Sequence, residues 1–229
     1  MDLSIAIQHT PEHANRQRWL RAMVRQLKQE DPEVKLTIAE DKGGEGCWTT
    51  HQRALLAAGS CSHHLVLQDD IGLCRDFIAS VKRVIHARPD DLVALYANSG
   101  AVFRARARRE SWIEKAGICG PAMIWPKEYI SEFLDWQERH IDQRFVWDTV
   151  RVSMWLIKTS KRAFATVPSL AEHLGCGCST LGLNGRSKVA SWFLGGDRSG
   201  LKIDWAQGLR APVRDSANIR PEWWQYFHE

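Results

Sequence analysis

Two adjacent aspartates, Asp69 and Asp70, follow one residue after a short apolar run at residues 65–67. The run is typical of a buried β-strand, and charge at the carboxyl end of such a strand lies where α/β sheets bind ligands. Two carboxylates at that place suit a divalent cation such as Mg²⁺ or Mn²⁺, which in turn suits a diphosphate. The pair could instead cap the helix that follows, because Asp is a common N-cap residue.

The composition of the chain sets broad limits on its class. It has 229 residues, 44% of them hydrophobic and 25% charged, which is ordinary for a globular protein with a real core. The formal net charge of +4 is compatible with an anionic substrate and does not require nucleic acid. No apolar run is long enough to cross a membrane, and the N-terminal segment lacks a signal-peptide pattern. We therefore expect a cytoplasmic protein with free thiols.

Strands and helices are expected to alternate along the first half of the chain. A strand at residues 3–7 precedes an amphipathic helix after Pro11, in which apolar residues recur at helical spacing. The other predicted elements are strands at 34–39, 65–67 and 92–96, helices at 47–60 and 77–88, and a Gly-rich loop at 41–46. This order predicts an α/β fold. The loop has neither a GxGxxG nor a Walker pattern, which argues against a dinucleotide-binding dehydrogenase or a P-loop enzyme.

Several segments in this order resemble motifs of one family. Gly46-Cys47 with His51, followed by LVLQDD and then Asp76-Phe77, resembles the GxxxSH…ALILEDD…F pattern of the lipopolysaccharide-type glycosyltransferases of family 25. Related phage and bacterial glycosyltransferase-like proteins of the GT-A fold are similar. Later segments that resemble the family are GICGPAMI at 117–124, WDTVRVSMWL at 147–156 and TVPSLAEHLG at 166–175. The chain departs from the pattern where Gln68 replaces an acidic residue and Thr50 replaces a serine.

The resemblance runs from about residue 3 to residue 183 and implies a fold. The implied architecture is a GT-A-like α/β domain, with a mostly parallel sheet flanked by helices. We expect residues 1–183 to form this domain and residues 184–229 to form an irregular, Trp-containing C-terminal extension. The extension could pack on the domain through its tryptophans, or close over a bound donor as a lid.

The resemblance also implies a cofactor and a set of ligands for it. In a GT-A glycosyltransferase the strand-end carboxylates hold Mn²⁺ or Mg²⁺ across the two phosphates of a nucleotide-sugar, here expected to be a UDP-sugar. By this resemblance Asp70 and Asp69 are metal ligands, and His173 is a third ligand from a distant part of the chain. Gln68 would hydrogen-bond the donor ribose. For His173, an ordinary helix-end histidine is the alternative.

Three further residues are candidates for the site. Asp148 stands where the resemblance implies a general base that takes a proton from the acceptor hydroxyl, although it could equally be the N-cap of the next helix. His51 could face the donor or be structural. The segment FRARARRE at 103–110 is predicted to be an extended basic loop. Its Arg104 could contact the diphosphate or an anionic acceptor, or simply belong to a solvated surface.

A competing interpretation concerns a zinc site near the end of the resembling region. His173, Cys176 and Cys178 have the spacing His-x₂-Cys-x-Cys, and these residue types are zinc ligands. No fourth ligand stands at a usual spacing, and the intervening glycines are typical of turns. This interpretation is therefore the weaker one.

The sequence as a whole predicts a metal-dependent glycosyltransferase that moves a sugar from a nucleotide-sugar to an acceptor hydroxyl. The acceptor stays open between a cell-surface saccharide and a hydroxymethylated base in phage DNA, which such an enzyme would have to reach or flip. Two alternatives come from other classes. One is a metal-dependent nucleotidyl or phosphoryl transferase that uses the same carboxylates, and the other is a non-catalytic module that binds nucleotide or nucleic acid.

Overall fold

The computed structural model describes residues 2–118, 120–174, 189–216 and 219–228. The strands are β1 (Leu3–His9), β2 (Lys35–Glu40), β3 (His63–Gln68), β4 (Ile71–Leu73), β5 (Leu92–Ala94), β6 (Trp112–Lys115), β7 (Ala122–Pro126), β8 (Ala163–Thr166), β9 (Ala171–His173) and β10 (Val213–Asp215). The α-helices are α1 (Ala14–Glu30), α2 (Cys47–Leu56), α3 (Phe77–Ala87), α4 (Gly100–Ala107), α5 (Lys127–His140) and α6 (Asp148–Thr159). Two 3₁₀-helices, Gly200–Lys202 and Pro221–Tyr226, lie in the C-terminal part.

An eight-stranded sheet in the order β10-β6-β8-β5-β7-β3-β1-β2 organises the described residues. Four of its seven pairings are parallel: β1 with β2, β1 with β3, β5 with β8, and β10 with β6. The three remaining pairings are antiparallel, and β4 and β9 form a separate antiparallel pair. The predicted α/β fold with a mostly parallel sheet is confirmed.

Helices cover both faces of the sheet. Side chains alternate along each strand, so that apolar residues of one strand reach both faces and each face packs against helices. On β1, Ile5 and Ile7 pack with the apolar residues of α1 and α3, whereas Ala6 packs with those of α2, α4, α5 and α6. On the second face, the rings of Trp125, Phe133 and Trp155 contact one another at centroid distances of 5.3–6.1 Å. In the described ranges no helix is both long and apolar enough to cross a bilayer.

The basic segment at residues 103–110 is not an extended loop, so that prediction is wrong. Its first half belongs to α4, which buries Ala101, Val102 and Ala105 at helical spacing. Alanine and arginine both favour the helix, and the three small apolar side chains give it a face to pack on the sheet. Residues two apart on a helix point in nearly opposite directions, so the arginines of this segment do not line one side.

The described residues after 188 pack against the rest of the chain. β10 lies beside β6 at the edge of the main sheet. Trp205 is buried with its ring 5.4 Å from that of Trp112, whose indole Nε1 donates a hydrogen bond to the Trp205 carbonyl oxygen. Near the C-terminus, the ring of Phe227 stacks on Trp136 of α5. Apolar burial and one strand pairing therefore hold this part of the chain in place.

Candidate functional site

The candidate site lies where the carboxyl ends of three neighbouring parallel strands meet. β1 is the middle strand, with β2 on one side and β3 on the other. Backbone hydrogen bonds join the three ends: the amide of Asp69 donates to the carbonyl of Gln8 (3.0 Å), and the amide of Asp41 donates to the carbonyl of His9 (2.8 Å). Open α/β sheets bind their ligands in crevices at such strand ends.

The carboxylate of Asp69 is completely buried, and both of its oxygens have partners. Its Oδ2 lies 2.7 Å from Nδ1 of His9 and accepts a hydrogen bond of 2.9 Å from the amide of Thr10. Its Oδ1 accepts a hydrogen bond of 2.6 Å from Nη1 of Arg16. The side chain of Asp69 therefore ties the turn after β1 and the first turns of α1 to the end of β3.

Asp70 shares the same guanidinium but is less completely satisfied. Its Oδ2 accepts a hydrogen bond of 2.8 Å from Nη2 of Arg16 and lies 3.5 Å from Nε2 of His173. His173 reaches this place because β9 pairs with β4, which puts it opposite Ile71. Oδ1 of Asp70 is buried and has no hydrogen-bond partner among the described residues. A buried oxygen of this kind is a natural acceptor for a ligand hydroxyl or a water molecule.

The predicted metal ligands Asp70, Asp69 and His173 thus lie together, with the guanidinium of Arg16 bonded to both carboxylates. Three of the four carboxylate oxygens already accept hydrogen bonds. In the part of the chain that the structure describes, no group of three or more His, Cys, Asp or Glu side chains is arranged to hold a metal ion. This donor set does not fit a divalent cation, because the cation beside the carboxylates is Arg16.

The alternative that the two aspartates cap the following helix is wrong. α3 begins at Phe77, and the residue before it is Asp76. β4 separates the carboxylate pair from that helix. The amide of Ile78 in its first turn is instead bonded by the carboxylate of Glu30, which projects from the end of α1.

Two residues of this cluster, His9 and Arg16, were not identified from the sequence. Arg16 is one of several arginines in α1, and arginine on an amphipathic helix normally belongs to the solvated face. A signal was nevertheless present, because Arg16 lies on the same face as Leu20 and Met23, at spacings of four and seven residues. His9 is the last residue of the apolar strand β1, and its side chain lies on the face that Asp69 occupies.

A second polar cluster lies on the opposite face of the same strand end. Asp148, the first residue of α6, is 4% exposed, and its Oδ1 accepts a hydrogen bond of 2.7 Å from the amide of Thr149. Its Oδ2 lies 3.8 Å from Nδ1 of His51 on α2, and the same nitrogen lies 3.2 Å from Oε1 of Gln8. Gln8 therefore links the two clusters, through its carbonyl to Asp69 and through its side chain to His51.

Burial sets the protonation of this second cluster. It raises the pKa of Asp148 to about 6, and it lowers the pKa of His51 to about 3, with a smaller contribution from the nearby His64. At neutral pH the imidazole is therefore uncharged and the carboxylate is mostly ionised. A buried carboxylate whose pKa lies near 6 suits a group that accepts a proton near neutral pH.

Replacement of Asp148 by asparagine is expected to stabilise the protein at high pH. The folded-state pKa of about 6 exceeds the usual value of 3.8, so folding favours the protonated acid. The stability this provides is fully present below pH 3.8 and is lost as the pH rises through 6. The variant should gain roughly 1–3 kcal/mol relative to wild type at pH 8 and close to nothing at pH 4. Urea unfolding at both pH values tests this, and a variant that is less stable at pH 8 would contradict it.

The structure places the other predicted residues as follows. Gln68 ends β3 opposite Gln8 of β1 and is half-buried. Arg104 does not reach either cluster: it is exposed on α4, and its Nη2 donates to the carbonyl of Arg214 on β10. β10 lies five strand spacings from β3, about 24 Å. Cys176 and Cys178 of the zinc interpretation lie outside the described residues.

Neither the protein-family models nor the curated proteins match this sequence significantly. Solved structures do match. One is S. aureus TarS 1-349 in complex with UDP, with a TM-score of 0.50 and 9% identity, over 73% of this chain and 58% of that chain. A glycosyltransferase involved in the glycosylation of the major capsid of PBCV-1 matches with a TM-score of 0.40 and 12% identity, over 69% and 75%. CMP:2-keto-3-deoxy-manno-octonic acid synthetase complexed with CTP matches with 0.44 and 6%, over 72% and 89%.

The fold is GT-A-like. The likeness to TarS concerns the α/β architecture, and the chain spans little more than half of the length of the TarS fragment. At these identities the comparisons carry the fold alone. Membership of family 25 stays a prediction, because no family model matches.

Proposed function

We propose that this chain is a glycosyltransferase that moves a sugar from a nucleotide-sugar to an acceptor hydroxyl. The observation that carries the proposal is the polar edge of a GT-A-like sheet, with Asp69 and Asp70 at the carboxyl end of β3. The TarS structure contains UDP, which favours a uridine nucleotide-sugar as the donor. No step of the proposal uses a divalent cation, since the guanidinium of Arg16 is bonded to both Asp69 and Asp70.

In this proposal the two polar clusters have different tasks. The free Oδ1 of Asp70 accepts a hydrogen bond from a hydroxyl of the donor, and the half-buried Gln68 contacts the ribose. Asp69 does not contact the donor, because both of its oxygens are used within the protein. It holds the turn after β1 in position instead.

Asp148 is the general base of the proposed transfer. The acceptor oxygen forms a bond to the anomeric carbon as the bond from that carbon to the diphosphate oxygen breaks, and the bonding electrons leave with the diphosphate. The acceptor proton passes to the carboxylate of Asp148, whose raised pKa of about 6 makes it a better base than an exposed aspartate. The neutral imidazole of His51 lies 3.8 Å from Oδ2 of this carboxylate.

The proposal is tested by thermal shift with nucleoside diphosphates and nucleotide-sugars. A ligand present at about 100 times its Kd should raise the melting temperature by roughly 5–10 °C, because it binds the folded state. We expect such a shift from a uridine nucleotide in wild type and a clearly smaller one in Asp70→Asn. Arg104→Ala is the matched control, because Arg104 lies at the far edge of the sheet. The absence of a shift with every nucleotide in wild type would count against the proposal.

The two alternative functions predict different products, or none, when the protein is incubated with the same nucleotide-sugar. A nucleotidyl or phosphoryl transferase that acts on the nucleotide-sugar would break the diphosphate linkage and release a nucleoside monophosphate or a sugar phosphate, whereas a glycosyltransferase breaks the bond to the anomeric carbon and releases a nucleoside diphosphate. A non-catalytic binding module would bind its nucleotide equally well with Asp70→Asn and would release no product. Product analysis after incubation with the donor separates the three.

Two acceptors are proposed, a saccharide and a modified base in DNA, and the surface charge of the protein helps to choose between them. The exposed side of α1 carries Arg18, Arg21 and Arg25. Three arginines on one face of a helix favour an acceptor that carries negative charge. Binding to duplex DNA that weakens steeply with salt would favour the nucleic acid, and indifference to DNA would favour the saccharide.

A further inference from the structure

The carboxylate pair at the end of β3 stands where a GT-A enzyme is expected to bind a divalent cation, and here Arg16 is bonded to both carboxylates. Its Nη1 lies 2.6 Å from Oδ1 of Asp69 and its Nη2 lies 2.8 Å from Oδ2 of Asp70. One guanidinium thus bridges two neighbouring carboxylates, a fork geometry that the planar arginine head group suits and an ammonium does not.

The burial of Arg16 distinguishes it from the other arginines of its helix. Arg16 is 8% exposed, whereas Arg18, Arg21 and Arg25 lie on the exposed side of α1. An arginine is almost never buried unless its charge is paired. The ion pairs of Arg16 with Asp69 and Asp70 are therefore buried interactions of the folded protein and not surface salt bridges.

Few carboxylate oxygens of Asp69 and Asp70 are free to coordinate a metal ion. Mg²⁺ is usually held by one or two carboxylates together with water and substrate phosphates, and Mn²⁺ likewise prefers oxygen ligands. Both oxygens of Asp69 and one oxygen of Asp70 already accept hydrogen bonds at 2.6–2.9 Å. A divalent cation on the remaining oxygen of Asp70 would also lie close to the guanidinium, which repels it.

We propose that Arg16 is the resident cation of the Asp69–Asp70 pair, and that this chain binds its donor without a divalent metal. This inference rests on the proposed function for the identity of the donor, but not for the state of the carboxylates. Arg16 reduces the charge of the pair from −2 to −1 and keeps both side chains oriented toward the strand end. It acts through the carboxylates as a positioning residue.

The first experiment measures Mn²⁺ binding to the protein without nucleotide, by electron paramagnetic resonance of free Mn²⁺. Wild type should bind Mn²⁺ more weakly than about 1 mM, since the guanidinium already offsets one of the two negative charges and repels a second cation. Arg16→Ala leaves both carboxylates without the guanidinium and should bind Mn²⁺ at least about tenfold more tightly than wild type. The double variant Arg16→Ala with Asp70→Asn should lose that gain.

Two single variants control the result. Arg16→Lys keeps a positive charge and should bind Mn²⁺ as weakly as wild type. Arg18→Ala removes an exposed arginine of the same helix and should leave Mn²⁺ binding unchanged. If Arg16→Ala does not fold, the wild-type measurement still decides: a Kd below about 1 mM that Asp70→Asn abolishes would overturn the proposal.

The second experiment repeats the nucleotide thermal shift of wild type in EDTA and in Mn²⁺. A shift of the same size in both conditions supports the metal-free donor site. A shift that requires Mn²⁺ would overturn the role of Arg16 while supporting the glycosyltransferase. If no nucleotide gives a shift in either condition, the proposed function fails, and the Mn²⁺ titration alone decides the state of the carboxylates.

Discussion

Replacement of Asp69 by alanine is expected to lower the free energy of unfolding by about 3–5 kcal/mol, the range for removing one partner of a buried ion pair. The side chain has no exposed surface and accepts hydrogen bonds from Thr10 and Arg16 besides its contact with His9. Its removal leaves a largely buried guanidinium with one carboxylate instead of two, and a buried imidazole without its partner. The loss should appear as a lower urea midpoint with an unchanged slope.

Asp70→Ala is the matched control for this prediction, because it removes the neighbouring carboxylate of the same pair. Asp70 accepts one described hydrogen bond from Arg16, and its second oxygen has no described partner, so we expect a loss of about 1–2 kcal/mol. Equal losses for the two variants, or a loss below about 1 kcal/mol for Asp69→Ala, would mean that the network does not hold the strand end as we describe.

Comparison of the Asp69 and Asp70 variants also distinguishes a structural role from a ligand-binding role at two adjacent residues. Asp69 and Asp70 are chemically identical, and the sequence predicts the same task for both. The alternation of β3 and the turn after it direct Asp69 into the protein and leave one oxygen of Asp70 for a ligand. We therefore expect the larger effect on stability at Asp69 and the larger effect on donor binding at Asp70.

Much of the fold follows from local patterns in the sequence. The apolar runs of β1 and β3 and the helical periodicity of α1 and α3 are each strong enough to predict the element without tertiary information. The order of these elements then predicts the α/β fold. Element ends are less certain, since they depend on capping and on neighbours: α2 ends at Leu56 rather than at residue 60.

Other features depend on contacts that local patterns do not contain. The arginines at 104 and 106 suggest an extended basic loop, but the segment forms a helix because Ala101, Val102 and Ala105 are buried at helical spacing. β10 is three residues long and exists because β6 offers it an edge. Arg16 cannot be assigned from its own surroundings in the sequence, since its partners Asp69 and Asp70 are more than fifty residues away.

Replacement of Asp148 by asparagine is expected to lower the rate of sugar transfer by about 10²–10⁴-fold, the usual contribution of a general base. Asparagine preserves the shape of the side chain but cannot accept the proton of the acceptor hydroxyl. The release of nucleoside diphosphate from the donor that gives the largest thermal shift measures the rate. A rate within about twofold of wild type would exclude Asp148 as the base.

The pH dependence of the wild-type rate supplies a second test of the same residue. The base must be ionised to accept a proton, so the rate should fall as the pH decreases through about 6, the pKa to which burial raises Asp148. Asp142→Asn is the control, because Arg144 holds the pKa of that neighbouring carboxyl well below its usual range and the variant should keep the wild-type profile. The free energy of unfolding should change in the opposite direction to the rate: it decreases as the pH rises through 6, because the ionised Asp148 destabilises the folded protein. A buried carboxylate that costs stability at the pH where it is active has the property expected of a residue retained for catalysis.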